Sequence, residues 1–176
     1  LSPPMLPKFP TPKGESEEEY LKSLARKGWI KFLHNTGKVE EKEDKQRYLD
    51  RFTMEFDVIN NAHLFGYFLI VQDIIRYVKS RGWLSGPGRG SAAGCLISYL
   101  IEITEIDPIE FDLLFERFFN AARTDALPDI DMDVPANKRD DIIEYLKNTY
   151  GKDNVSQMLT FGRLQGRSAV KEVLRI

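Results

Sequence analysis

The sequence has a single cysteine and no long apolar run. Cys95 cannot form an internal disulfide, which favours a reducing compartment. No apolar stretch approaches the ~18 residues that span a bilayer, and the first residues lack the basic and apolar parts of a signal peptide. We therefore expect a soluble, cytoplasmic protein with no membrane partner.

Histidine and net charge are also low. His34 and His63 are isolated, with no cysteine at ligand spacing, so a zinc site is not expected. The formal net charge of −2 gives no overall attraction for nucleic acid, so any basic surface must be local. With 176 residues, 42% hydrophobic and 30% charged, the chain is long enough for one domain with its own core.

The chain divides into a lead-in and one domain. Residues 1–14 are rich in proline and cannot be helical. Residues 15–176 are predicted to form one domain. We expect a segment of a longer polypeptide, because the sequence begins with Leu1 and its helical pattern continues to the last residue. The interleaved helical and strand patterns predict an α/β or α+β fold.

Several helices are predicted within that domain. Ser16 and Glu19 resemble a capping box that opens a helix, and Gly28 is expected to end it. Apolar residues at helical spacing follow from Tyr48, break near residues 60–66, and resume to Val78. Further helices are predicted over 96–103 and 138–150 and after Gly162, and strands over 129–134 and 155–161.

Acidic and apolar residues alternate from Asp129 to Val134. In a strand, Asp129, Asp131 and Asp133 would leave one face while the apolar residues enter the core. Such crowded carboxylates are tolerable when divalent cations lie among them, and Mg²⁺ prefers carboxylate oxygens. The stretch predicts a metal platform for phosphate chemistry, and a solvated acidic strand is the plain alternative.

A calcium-binding EF-hand loop also begins with alternating acids. It needs glycine at its sixth position and glutamate at its twelfth, where this chain has Val134 and Asp140. A β-branched residue where a sharp turn must occur argues against calcium.

Residues 86–91 form a glycine-rich loop. Glycines at 86, 88 and 90 let backbone N–H groups converge, and Ser91 is expected near the N-cap of the next helix. Gly88, Arg89, Gly90 and Ser91 therefore predict a cradle for phosphate. A P-loop is excluded because it requires a lysine here, and a dinucleotide fingerprint because no strand precedes the loop. A tight turn whose glycines serve packing is the alternative.

Basic residues could assist in two places. Arg117 and Arg123 precede the acidic stretch and could reach a triphosphate, although surface pairs with Glu116 or Asp125 would also explain them. A stripe in the terminal helix could follow a nucleic-acid backbone, with an ordinary solvated face as the alternative. That stripe consists of Arg163, Arg167, Lys171 and Arg175.

In order and spacing, the motifs together resemble the palm of the bacterial replicative DNA polymerase III alpha family, the C family. The resemblance runs almost end to end. Its motifs lie at residues 6–10 (LPKFP), 66–71 (GYFLIV), 86–94 (GPGRGSAAG), 115–118 (FERF), 128–133 (PDIDMD), 155–157 (VSQ) and 160–162 (TFG).

The resemblance implies a palm of the polymerase-beta-like nucleotidyltransferase type, a small sheet packed with several helices. It implies primer extension on DNA with deoxynucleoside triphosphates and two Mg²⁺ ions, which Mn²⁺ can replace, alongside the rest of the polymerase and replisome proteins. Asp129 and Asp131 match the family's metal ligands, with Asp133 supporting. Gly90 and Ser91 match its triphosphate-binding pair, and Arg117 matches a phosphate-contacting arginine.

The resemblance also has gaps. Cys95 replaces the usual serine. Residues 121–127 differ from the family and are one residue longer, which puts the phosphate-binding role of Arg123 in doubt. The third family carboxylate is expected in a later segment. This divergence suggests a phage or an accessory polymerase rather than a host replicase. A non-catalytic binding module of palm shape and a nucleotidyltransferase acting on RNA ends or small molecules are the alternative functions.

Overall fold

A computed structural model describes residues 6–36, 42–119 and 127–157, and within these ranges the chain is helical. The α-helices there are α1 (Glu17–Thr36), α2 (Lys42–Asn61), α3 (Phe65–Ser80), α4 (Leu96–Leu100) and α5 (Arg139–Tyr150). Short 3-10 turns lie at Pro12–Gly14, Gly90–Gly94, Phe115–Arg117, Ala136–Lys138 and Lys152–Asn154.

Helix α1 begins at the predicted capping box but does not end at Gly28. Ser16 N–H binds Glu19 Oε2 at 3.0 Å, and Glu19 N–H binds Ser16 Oγ at 3.2 Å. Gly28 lies inside the helix because α4 crosses there. A Cβ at residue 28 would stand 1.7 Å from the Leu100 carbonyl oxygen. The glycine therefore allows a close helix crossing, and reading it as a helix stop was wrong.

Helices α2 and α3 follow the predicted apolar stripes and break at His63, whose φ is +55°. Phe68 and Leu69 of α3 are fully buried and form the centre of the core with residues of α1 and α4, while the buried Val78 packs with Ile142 of α5. No single helix in the described ranges is long and apolar enough to cross a membrane. By length and composition α2 and α3 could do so only as a pair, and this pair is bent by 111°.

The predicted α/β fold with a small sheet is wrong for the described residues, because no β-strand forms there. Residues 127–134 do run without helix, and their side chains alternate between exposed and buried as expected. An extended segment becomes a strand only when a neighbour pairs with it. Here a backbone hydrogen bond runs from Gly86 N–H to the Asp133 carbonyl (3.0 Å), and no ladder of such bonds forms among the described residues. Residues 155–157 are not a strand either, and 158–176 lie outside the described ranges.

Helix α5 forms within the predicted range and ends at Gly151, whose φ is +94°. A buried polar cluster joins it to α3. The carboxylate of Asp73, 3% exposed, accepts hydrogen bonds from the hydroxyls of Tyr145 (2.8 Å) and Tyr150 (3.0 Å) and from Arg76 (2.5 Å). This cluster holds α5, which follows the acidic segment in the chain, against α3.

Candidate active site

The structure brings the two predicted motifs into contact. A Cβ added at Gly86 would lie 2.8 Å from Asp133 Cβ, and one at Gly90 would lie 3.2 Å from Asp131 Oδ2. Gly88 approaches a third element, since its Cβ would lie 2.7 Å from Thr104 Cγ2. The glycines let the loop backbone lie against the acidic segment, so packing accounts for these glycines, and the cradle stays a prediction.

The three carboxylates share one exposed face, as their alternation predicted. Asp129, Asp131 and Asp133 are exposed, and Ile130 between them is 7% exposed. Arg89 lies between two of them, with Nε 3.8 Å from Asp131 Oδ2 and a terminal nitrogen 3.7 Å from Asp133 Oδ1. All three partners are largely solvated, so these pairs are weak and Arg89 can change partners at low cost.

Tyr67, which sequence reasoning did not single out, holds the start of the acidic segment against α3. Its hydroxyl donates to the Pro128 carbonyl at 2.7 Å. Burial, aided by the charge of Asp129, raises the pKa of Tyr67 to about 12 against an opposing backbone hydrogen bond. The phenol therefore remains a donor at neutral pH. Its position in an apolar helical stripe, within the motif at residues 66–71, was the available signal.

The donor set suits Mg²⁺ by chemistry but is incomplete among the described residues. Carboxylate oxygens are the ligands that this hard cation prefers. Within the described ranges, however, no group of three or more His, Cys, Asp or Glu side chains could hold a metal ion. Asp129 and Asp131 can thus supply part of a coordination shell, and further ligands must come from other groups.

The glycine loop leads into a 3-10 turn and not, as was predicted, directly into an α-helix. Gly88 and Gly90 have φ of +104° and +67°, and Gly90–Gly94 forms a 3-10 turn with Ser91 inside it. The α-helix begins only at Leu96. Its first N–H groups are taken by a carboxylate of the protein. The N–H groups left for a ligand are those of the loop and the 3-10 turn, and Ser91 does not lie at the N-cap of the α-helix as expected.

That carboxylate is Glu55 of α2, which is 0% exposed and was missed by sequence reasoning. Its oxygens accept hydrogen bonds from the N–H groups of Leu96 and Ile97, both at 2.9 Å. Arg51 donates to Glu55 at 2.6 Å and to the carbonyls of Gly94 (2.6 Å) and Leu113 (2.9 Å). The Arg51–Glu55 pair therefore fixes the end of the glycine loop. The i,i+4 spacing of the two charges was its only sequence signal.

Burial raises the pKa of Glu55, while the two N–H groups and Arg51 oppose that shift. Cys95 lies beside it, with Sγ 3.4 Å from Glu55 Oε2. Burial and the neighbouring carboxylate raise the pKa of the Cys95 thiol well above its usual value. Cys95 is fully buried and its sulfur accepts a hydrogen bond from Ser98 N–H, so it serves packing and caps α4.

The remaining predicted residues are only partly placed. Arg117 is exposed at the end of the turn Phe115–Arg117, which packs against the turn Gly90–Gly94. The close approach of Gly94 to the Leu114 carbonyl fixes this contact, since a Cβ there would lie 2.8 Å from that oxygen. Arg123 lies outside the described residues. So does the whole basic stripe of Arg163, Arg167, Lys171 and Arg175.

Comparison with known proteins gives a consistent result over nearly the whole chain. Residues 19–176 match the family model described as the bacterial DNA polymerase III alpha NTPase domain. The chain is 43% identical to the DNA polymerase III subunit alpha of Bacillus subtilis and 44% identical to that of Escherichia coli O157:H7, in each case over 97% of its length. It spans only 14% and 15%, respectively, of those two relatives.

Proposed function

Since this chain belongs to the bacterial DNA polymerase III alpha family, we propose that it carries part of the nucleotidyl-transfer site of a DNA-directed DNA polymerase. The observation that supports this most is the contact between the glycine loop and the acidic segment at Gly90 and Asp131. The substrates would be deoxynucleoside triphosphates and a DNA primer-template, and the partners would be the rest of the polymerase and other replication proteins.

Asp129 and Asp131 would hold divalent cations, Mg²⁺ or Mn²⁺. When bound, two such ions would activate the primer 3′-hydroxyl and neutralise the leaving pyrophosphate. Asp133 would support the segment, because its carbonyl already binds Gly86 N–H.

The glycine loop would orient the triphosphate. Gly88, Gly90 and Ser91 would present backbone N–H groups to the phosphate oxygens. Arg89 would turn from the acidic face towards those oxygens, since its pairs with Asp131 and Asp133 are long and solvated. Arg117 would add a second cation from the adjoining turn.

The basic stripe of the C-terminal segment would contact the primer-template. Its members, Arg163, Arg167, Lys171 and Arg175, recur every four residues, and cations at this spacing can follow a phosphate backbone.

The metal assignment can be tested by titrating Mn²⁺ into the protein in the presence of a deoxynucleoside triphosphate. Asp129→Asn and Asp131→Asn each remove a charged oxygen ligand. Each is expected to weaken binding at least about tenfold, since even outer-shell partners of metal ligands are worth about 10–100-fold. Electron paramagnetic resonance of free Mn²⁺ gives the affinity.

Asp133→Asn is the matched control, because it removes a neighbouring carboxylate on the same face and keeps the backbone bond to Gly86. Its expected effect is below threefold. Equal weakening by all three substitutions, or weakening by Asp133→Asn alone, would contradict the assignment.

One observation favours a second candidate, a nucleotide-binding module without catalysis. The described residues hold no complete group of metal ligands. A triphosphate that binds equally well with and without divalent cation, together with wild-type affinity in both Asp→Asn variants, would support this second function over the first.

A further inference from the structure

A cleft lies between the C-terminal end of α3 and helix α5. Its volume is about 430 Å³. It is lined by aromatic, cationic, acidic and amide side chains: Tyr77, Arg81, Trp83, Asp141, Glu144, Tyr145 and Asn148.

Three aromatic rings form a rigid wall of this cleft. Tyr77 and Tyr145 stack with ring centroids 3.8 Å apart and planes 10° apart, and Trp83 meets Tyr77 edge-on at 5.9 Å. The Tyr145 hydroxyl is bound to the buried Asp73, so this ring is fixed from the core side. Rings held in advance lose little entropy when a flat ligand stacks on them.

Cations lie over two rings of the aromatic wall. The Arg81 guanidinium is 5.2 Å from the Tyr77 ring centre, and Lys138 Nζ is 5.0 Å from the Trp83 ring centre. Lys138 also pairs with Asp141 at 3.3 Å. Glu144 and Asn148 are exposed on α5 and add hydrogen-bonding groups to the opposite wall.

The cleft is separate from the candidate active site. Met132 and Val134 pack in the same apolar cluster as Tyr77 and Trp83. These two residues alternate with Asp131 and Asp133 along the acidic segment, so they point away from the carboxylates. The cleft and the carboxylate face therefore lie on opposite sides of one extended segment.

We propose that this cleft binds one nucleotide of single-stranded DNA. The base takes the place of the Lys138 ammonium over the Trp83 ring, where stacking is tolerant of sequence because every base has a π-face. Asn148 and Glu144 face the base edge, while Arg81 and Lys138 contact the flanking phosphates. The proposal rests on the proposed function only in taking DNA as the substrate.

A basic peptide is the other ligand that aromatic clefts accept. It would have to displace Arg81 and Lys138, which already lie over the rings, while Asp141 and Glu144 in the lining would attract it, so oligolysine is the competing ligand in the test. A phosphate-linked base uses both the rings and the two cations.

The test is a fluorescence titration of the Trp29→Phe variant, in which Trp83 is the only tryptophan. Oligodeoxythymidine is added without divalent cation or triphosphate. Quenching of Trp83 fluorescence is expected. Trp83→Ala should weaken binding about tenfold, as expected for one stacked base, when affinity is measured by anisotropy of a labelled oligonucleotide. Trp83→Phe should restore most of the affinity, which separates stacking from folding.

Two variants complete the test. The double substitution Arg81→Ala and Lys138→Ala should lower the salt dependence of binding by about 0.7 per lost phosphate contact. Phe111→Ala is the matched control, since Phe111 is an exposed aromatic (62%) outside the cleft, and it should leave affinity unchanged.

Absence of Trp83 quenching by the oligonucleotide, quenching by oligolysine instead, or equal affinity for deoxythymidine monophosphate and the oligonucleotide would overturn the proposal. If the oligonucleotide does not bind at the cleft but Asp131→Asn weakens Mn²⁺ binding, the proposed polymerase function stands and the cleft proposal fails. Oligonucleotide binding with no effect of Asp129→Asn or Asp131→Asn would reject the metal site and keep the cleft.

Discussion

At the scale of single residues, two glycines with nearly the same φ angle allow the effect of backbone strain to be measured apart from the effect on ligand binding. Gly90 has φ of +67° and Gly82 has φ of +69°. A Cβ at Gly82 would meet nothing within 4 Å, whereas one at Gly90 would lie 3.2 Å from Asp131 Oδ2. Gly90 therefore combines a left-handed backbone with contact to a predicted metal ligand.

Alanine at either position is expected to lower the free energy of unfolding by about 1–2 kcal/mol, because a left-handed backbone disfavours any Cβ. Gly90→Ala should in addition lose the thermal protection that a deoxynucleoside triphosphate with Mn²⁺ gives, since its methyl group fills the cradle beside Asp131. Thermal shift with and without ligand measures both effects. Full protection of Gly90→Ala, or equal loss in Gly82→Ala, would argue against the cradle.

At the scale of elements, the buried Arg51–Glu55 pair ties α2 to α4 and to the glycine loop. Glu55→Ala leaves two backbone N–H groups and the half-enclosed Arg51 without their partner. We expect a loss of about 3–5 kcal/mol in the free energy of unfolding. Glu55→Gln keeps the size and one acceptor, so its loss should be smaller. Urea denaturation gives the order.

The exposed pair of Glu18 and Lys22 offers a control with the same i,i+4 spacing on α1. Glu18→Ala should change stability by no more than about 0.5 kcal/mol, because solvated pairs are weak. Similar losses in Glu18→Ala and Glu55→Ala would mean that Glu55 does not fix the loop.

At the scale of the whole molecule, hydrogen bonds between tyrosines and aspartates join distant parts of the chain, and two of them involve buried tyrosines. The Tyr48 hydroxyl donates to Asp107 at 2.5 Å and the Tyr150 hydroxyl to Asp73 at 3.0 Å. Burial, with the neighbouring carboxylates, raises the pKa of both tyrosines above their ordinary value of 10.0. The fold therefore favours the protonated phenols.

A raised folded-state pKa contributes stability that is complete below the unfolded pKa and is lost as pH rises through the folded value. The melting temperature should accordingly fall above about pH 10. The double variant Tyr48→Phe and Tyr150→Phe should be less stable at pH 7, by about 1 kcal/mol per lost hydrogen bond. It should also lose less stability between pH 9 and pH 11 than the wild type. Parallel pH profiles would contradict this account.

The sequence by itself determined what depends on local pattern. Helical spacing and the Ser16–Glu19 capping box predicted α1 to α3 and α5, and the alternation from Asp129 predicted which side chains are exposed. These features follow from backbone periodicity, which neighbours in the chain carry.

Only the tertiary structure decided what depends on the partner of a segment. The acidic segment has the pattern of a strand, yet no strand pairs with it among the described residues, so the expected sheet does not form there. Gly28 reads as a helix stop and is instead a crossing point, because Leu100 approaches it. The helix end expected for phosphate is occupied by Glu55, a contact between residues about forty positions apart. A one-dimensional pattern fixes how a segment can face its surroundings, whereas which group meets it is set by packing.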